Sequence, residues 1–191
     1  MTLRLSACIL AAVLVTACGG DPPNKEMDQA QGAIDAARAA GADRYATTEY
    51  TAATDALKRA QEAVTQGDYR QALNEALDSR EHAQNAAREA ADSQAQVRGE
   101  VERDMAQIAT LIAEANTRLA AATRARVPRR TLDGPRQELA AVDESVQKAG
   151  AAMRANDYLA ARAALQGVQE RIAQAMKALQ VPGVQSPRRT R

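Results

Sequence analysis

The 191-residue sequence predicts an all-α protein. The expected architecture is an elongated antiparallel helical bundle of two stacked three-helix units, sharing a long central helix and joined along Ala-rich heptad seams. Three observations predict it. Roughly a quarter of the residues are alanine, the strongest helix former, while Trp and Phe are absent. Apolar residues recur at steps of three and four through most of the chain, a helical stripe and not the alternation of a strand. One helix-plus-turn segment also occurs twice.

The N-terminus stands apart. Residues 1–17 combine Arg4, an apolar run over Leu5–Val15 and the small residues Thr16 and Ala17, and read as a signal peptide. The run falls short of the about 20 residues a membrane-spanning helix needs. Its end, "VTAC", resembles a bacterial lipobox. That resemblance implies a thioether-linked diacylglyceryl group on Cys18, cleavage before it and acylation of the new amine. Two or more acyl chains anchor stably where one does not. An ordinary cleaved signal with an incidental cysteine is the competing reading, disfavoured by the small–small–Cys spacing. Cys8 leaves with the signal, so the mature chain has no cysteine pair for a disulfide. Gly19, where an aspartate would resemble inner-membrane retention, points to a lipid-anchored protein of the bacterial cell envelope, at the outer membrane and facing the periplasm. Residues 18–24, "CGGDPPN", form the lipidated tether.

The stripes then define the helices in order. The first carries Met27, Ala30, Ile34 and Ala37, and "GADRYATT" (41–48) interrupts it. The second carries Tyr50, Ala53, Leu57, Ala60 and Val64, ending at the tight break "GDY" (67–69). The third runs Tyr69, Ala72, Ala76, Ser79, Ala83, Ala86 and Ala90. After a register shift it continues Val97, Val101, Met105, Ile108, Ile112, Ala115, Leu119 and Ala122. Gly99, beside the shift, marks an expected junction or bend. "RVPRRTLDGP" (126–135) reads as a proline-containing loop. A fourth helix carries Leu139, Val142, Val146, Ala149 and Met153, and "NDY" (156–158) breaks it. A fifth carries Tyr158, Ala161, Leu165, Val168, Ile172, Ala175 and Leu179. The first unit therefore spans 25–96, the second 97–180, and 181–191 is expected to be a disordered basic tail. Asp55–Arg59, Glu114–Arg118 and Glu144–Lys148 are spaced as i,i+4 ion pairs on outer faces. A buried alanine contributes only about one methyl, roughly 0.8 kcal/mol. Stability should therefore rest on Leu57, Tyr69, Ile108, Ile112, Leu119, Leu165 and Ile172.

The repeat pairs residues 49–69, "EYTAATDALKRAQEAVTQGDY", with 138–158, "ELAAVDESVQKAGAAMRANDY", without a gap. Each is a helix followed by a turn. Gly67 and Asn156 are residue types that tolerate a left-handed backbone past a helix end. Asp68 and Asp157 can cap the next helix by accepting its free N–H groups. Tyr69 and Tyr158 follow on the seam. Met27–Ile34 and Met105–Ile112 share a seven-residue step, so the third helix of one unit runs into the first of the next, as in spectrin-type arrays.

Residues 33–76 also carry a family resemblance. The Ala-rich first helix ending "AGA", the Ala46-to-Tyr50 spacing, and Gly67-Asp68-Tyr69 with Ala72 behind it are similar to the bacterial envelope lipoproteins of domain of unknown function forty-three ninety-eight. The resemblance covers about residues 27–92. It implies helix-packing and turn residues and carries over no activity. The second unit departs from it, with "VPRRTLDGP" in place of the Ala-Gly-Ala turn and Leu139 in place of the tyrosine.

The side chains offer little chemistry. His82 is the sole histidine, with Asp78 four residues before it on the same helical face. A metal would need further converging ligands, so His82 reads as an exposed surface histidine, with no metal or other cofactor expected. Ser79, Ser93, Ser145 and Ser186 have no histidine base at a recognisable spacing, and no Gly-rich phosphate loop occurs. No enzyme activity and no catalytic residue is expected. No basic face interleaved with aromatics suggests nucleic acid. "GDYRQAL" and "NDYLAAR" resemble a tetratricopeptide turn, but they lie 89 residues apart and not 34. The expected function is a structural or adaptor rod, held to the membrane by its N-terminal lipid and presenting faces to envelope proteins or to itself. The alternative is a binding module holding a peptide, lipid or cell-wall fragment in an interhelical groove.

Overall fold

Helix-forming composition and heptad spacing yield helices throughout the computed structural model, which describes residues 21–180. The described residues form α1 (Asn24–Ala39), α2 (Ala42–Tyr45), α3 (Thr47–Thr65), α4 (Tyr69–Arg124), α5 (Arg129–Arg154), α6 (Tyr158–Leu165) and α7 (Val168–Ala178). The protein is all-helical, with the long α4 at its centre. No helix among the described residues is long and apolar enough to cross a membrane. The signal peptide, Cys18 with the start of the tether, and the tail 181–191 lie outside the described residues. The chain divides into two units, the first ending at Ser93 and the second beginning at Gln94.

Unit 1 is built on alanine. Its core joins Ala30, Ile34 and Ala37 of α1 to Ala42 and Ala46, to Ala53 and Leu57 of α3, and to Ala83, Ala86 and Ala90 of α4. Among the described residues of this unit, the buried aliphatic residues other than Ile34 and Leu57 are alanine. Short side chains let helix backbones approach closely, and one bond demonstrates it. The Ser79 hydroxyl, fully buried, donates across the seam from α4 to the Ala53 carbonyl of α3 at 2.8 Å. A side chain of two heavy atoms reaches a neighbouring helix backbone only when the helices are close. The interruption at 41–48 is not a plain loop. Gly41 turns left-handed (φ 82°), α2 adds one helical turn, and Ala46 (φ −140°) restarts the helix. This turns Ala42 and Ala46 into the core.

Unit 2 buries larger side chains. Val101, Ile108, Leu132, Val142, Val168 and Ile172 are each at most 2% exposed. Two expectations change here. The proline-containing segment 126–135 is mostly helix: α5 starts at Arg129, directly after Pro128, and Pro135 lies inside it. Pro135 forfeits one i→i−4 bond. Its ring is buried on the stripe Leu132, Pro135, Leu139, Val142, and that burial offsets part of the loss. The fifth helix is two: Gln166 (φ −61°, ψ 127°) and Gly167 (φ 73°, ψ 1°) form a type II turn between α6 and α7. Gly167 occupies the position where that turn needs positive φ. Gly99 lies within the continuous α4, five residues past Gln94, where the second unit begins.

The stripe of α4 changes character where the sequence shifts register. In unit 1, positions 72, 76, 79, 83, 86 and 90 are all buried. In unit 2, Val101, Ile108, Ala115 and Ala122 are buried, whereas Met105, Ile112 and Leu119 are only half-buried. Tyr69 is half-buried too. Of the seven residues expected to hold the core, Leu57, Ile108, Leu165 and Ile172 are buried; Tyr69, Ile112 and Leu119 lie at its margin.

Candidate functional site

The two repeated turns have the same geometry. After α3, the Gly67 N–H donates to the Val64 carbonyl at 3.0 Å and the Asp68 N–H to the Ala63 carbonyl at 2.9 Å. After α5, the Asn156 N–H donates to Met153 at 3.1 Å and the Asp157 N–H to Ala152 at 2.9 Å. Both are Schellman closures, with Gly67 (φ 78°) and Asn156 (φ 57°) in the left-handed position. Each aspartate then caps the next helix. The Gln71 N–H donates to Asp68 Oδ1 at 2.9 Å, and the Ala160 N–H to Asp157 Oδ1 at 3.1 Å. Tyr69 and Tyr158 are half-buried in the following turns, and the Tyr158 hydroxyl donates to Asn156 Oδ1 at 3.0 Å. Gly67 and Asn156 thus close helix ends, and Asp68 and Asp157 cap the helices that follow.

His82 is not a free surface residue. Its Nδ1 lies 2.8 Å from Glu49 Oε2, so it ties α4 to the first turn of α3, while Asp78 is not its partner. The half-buried pair joins two neighbouring helices, a contact that spacing along one helix cannot reveal. Arg59 also reaches across: it donates to Glu75 at 2.8 Å instead of to Asp55. Glu114–Arg118 and Glu144–Lys148 do form within their helices, at 2.5 and 2.7 Å. Among the described residues, no group of three or more His, Cys, Asp or Glu side chains could hold a metal ion. Ser79 is spent on its buried bond to Ala53.

Two features of unit 2 escape the sequence reading. The first is a partly open groove of about 490 Å³ where α6 ends beside α4. It is lined by Asp104, Leu159, Arg162, Ala163, Leu165 and Gln166. Arg162 lies 3.7 Å from Glu100 on α4. Its volume falls in the range of small-ligand pockets. The second is the α4–α5 turn. Arg124, Arg126, Arg129, Arg130 and Arg136 are all exposed there, with Asp133 the single acidic residue between them. Arg126 sits left-handed (φ 58°) and closes α4 as Gly67 and Asn156 close their helices: its N–H donates to Thr123, and that of Val127 to Ala122, each at 3.1 Å. The legible signal was the stretch "RARVPRRTLDGPR", five arginines against one acid over 124–136.

Neither the curated proteins nor the solved structures contain a significant match to the chain. Unit 1 has the residues that carry the family resemblance: the alanine-faced α1, the left-handed Gly41, Tyr50 against the core, and the Gly67-Asp68 closure with buried Ala72 behind it. Residues 25–101 match the family model described as Domain of unknown function (DUF4398).

Proposed function

We propose that the chain is a lipid-anchored helical adaptor of the bacterial cell envelope, carried on Cys18 and facing the periplasm. In this reading two three-helix units, stacked through α4, form a rod whose outer faces meet envelope proteins or other copies. The observation that carries it is the lipobox-like "VTAC" ahead of the tether, where acylation fixes location. The helical units support it, because their singled-out polar residues serve packing and turns: Ser79 bonds a backbone carbonyl, and Asp68 and Asp157 cap helices. A rod needs such residues and needs no catalytic cluster.

One observation favours a second reading. The groove beside α6 has the volume for a small ligand or a short peptide side chain, with Arg162 and Asp104 as polar contacts. Complementation of a deletion strain separates the two. The adaptor reading expects Cys18→Ser and a deletion of residues 127–180 to abolish function, and His82→Ala to retain it, each accumulating to the level of the unaltered chain. Full function from Cys18→Ser would remove the anchor from the reading. Loss through Leu159→Arg, placed in the groove, with a melting curve unchanged, would favour the binding module.

A further inference from the structure

We propose that the α4–α5 turn of unit 2 is a docking surface for an anionic, phosphate-bearing lipid bilayer. Arg124, Arg126, Arg129, Arg130 and Arg136 project from one turn and its two flanking helix ends, all exposed. None is paired with a carboxylate among the described residues, although ion pairs formed by other arginines of the unit, Arg98, Arg118, Arg162 and Arg171, show what carboxylates within reach achieve. None lines the groove beside α6. Leu179 packs on Ala122 and Leu132 at this same end.

The local structure holds these charges against its own preferences. Arg126 occupies the left-handed position that glycine fills after α3, where a residue with a Cβ is strained. Arg129 and Arg130 open α5, where the helix dipole favours carboxylates, and the first turn has no acidic residue. Fold stability alone would select glycine at 126 and acids at 129 and 130. The arginines therefore answer to a partner outside the chain, and charge complementarity makes that partner anionic. The turn carries no aromatic residue to stack on a nucleotide base. Its half-buried Val127, between Arg126 and Pro128, packs inward on Ala122, Leu132 and Leu179, so the outward surface of the turn is dominated by the arginines. An exposed cationic cluster without stacking groups fits a headgroup layer, which offers an array of phosphates at its surface.

The test uses the full chain with Cys18→Ser, so that no acyl chain contributes. It is titrated with vesicles of phosphatidylcholine alone and of phosphatidylcholine mixed with equal parts of phosphatidylglycerol. Binding is expected to the mixed vesicles only, and to weaken as salt is raised. Each arginine contributes about fivefold near such a surface, so R126Q/R129Q/R130Q should lose on the order of 100-fold, while the all-lysine triple should retain most of the binding. Arg70→Gln, Arg103→Gln and Arg154→Gln together change net charge equally and should change binding less than about twofold. Circular dichroism verifies each fold. Should the glutamine triple unfold, the single substitutions, each expected to lose about fivefold, decide in its place. Equal losses from the two glutamine triples, equal binding to both vesicle types, or no binding by the unaltered arginines would overturn the proposal. Tighter binding to duplex DNA than to the mixed vesicles would assign the surface to another polyanion and overturn it likewise.

Discussion

Unit 1 and unit 2 bury corresponding positions of one helical segment with different side chains. Ala72, Ala76, Ser79, Ala83, Ala86 and Ala90 of α4 correspond, at the 89-residue offset of the repeat, to Ala161 and Leu165 of α6, Val168, Ile172 and Ala175 of α7, and Leu179 directly after it. All twelve are buried. The same heptad frame thus supports two solutions. Small side chains bring backbones together, so that a serine hydroxyl spans to the next helix. Larger ones fill a wider space, and there the helix carries a break at Gln166–Gly167 with a groove beside it. Stability in unit 1 is spread over many small contributions and should be sensitive to enlargement. In unit 2 it is concentrated in a few residues and should be sensitive to truncation.

Exchanging equivalent residues tests that contrast most sharply. Ile172→Ala should cost about 2–5 kcal/mol, because Ile172 is fully buried and leaves a cavity. Ile108→Ala should behave alike, and Ile112→Ala, one turn on and half-buried, should cost clearly less. The reciprocal change, Ala83→Ile, should cost about 1–3 kcal/mol through overpacking. Urea titrations followed by circular dichroism measure all four. A neutral or stabilising Ala83→Ile would mean that unit 1 has unfilled space, and the contrast would fail.

Smaller effects sharpen the picture. Ser79→Ala should cost about 0.5–1.5 kcal/mol in the same titration. It removes a buried bond but leaves no orphan, since the Ala53 carbonyl sits inside α3 and keeps its helical partner. A loss of several kcal/mol would show that Ser79 does more than bridge α3 and α4. Glu75→Ala removes the interhelical pair with Arg59, whose side chain is 51% exposed, so a few tenths of a kcal/mol are expected. Repeating that comparison at high salt should erase the difference. Smallest of all is the exposed Glu144, whose hydrogen bond from Lys148 holds its carboxyl below the ordinary value. The sign follows: any stability from this pair is present above the usual carboxylate range and is lost as acid titrates the group. Glu144→Gln should flatten that loss, to an extent near the limit of a pH-dependent melting series.

The sequence by itself determined the all-helical class, the two repeated closures and the capping aspartates. These follow from local rules: heptad spacing, the left-handed tolerance of Gly67 and Asn156, and the reach of an aspartate to the N–H groups of the next turn. Tertiary structure alone decided the rest. Pro135 reads locally as a loop residue, yet burial beside Leu132 and Leu139 holds it within α5. Ile108 and Ile112 occupy equivalent steps of one stripe, and only the neighbouring helices make one buried and the other marginal. His82 and Arg59 find their carboxylates on other helices, Glu49 on α3 and Glu75 on α4, at sequence separations that no periodicity marks. The gathered arginines of the α4–α5 turn were visible as a run in the sequence. That they stand exposed, with no carboxylate partner among the described residues, depends on where the folded helices place the carboxylates around them.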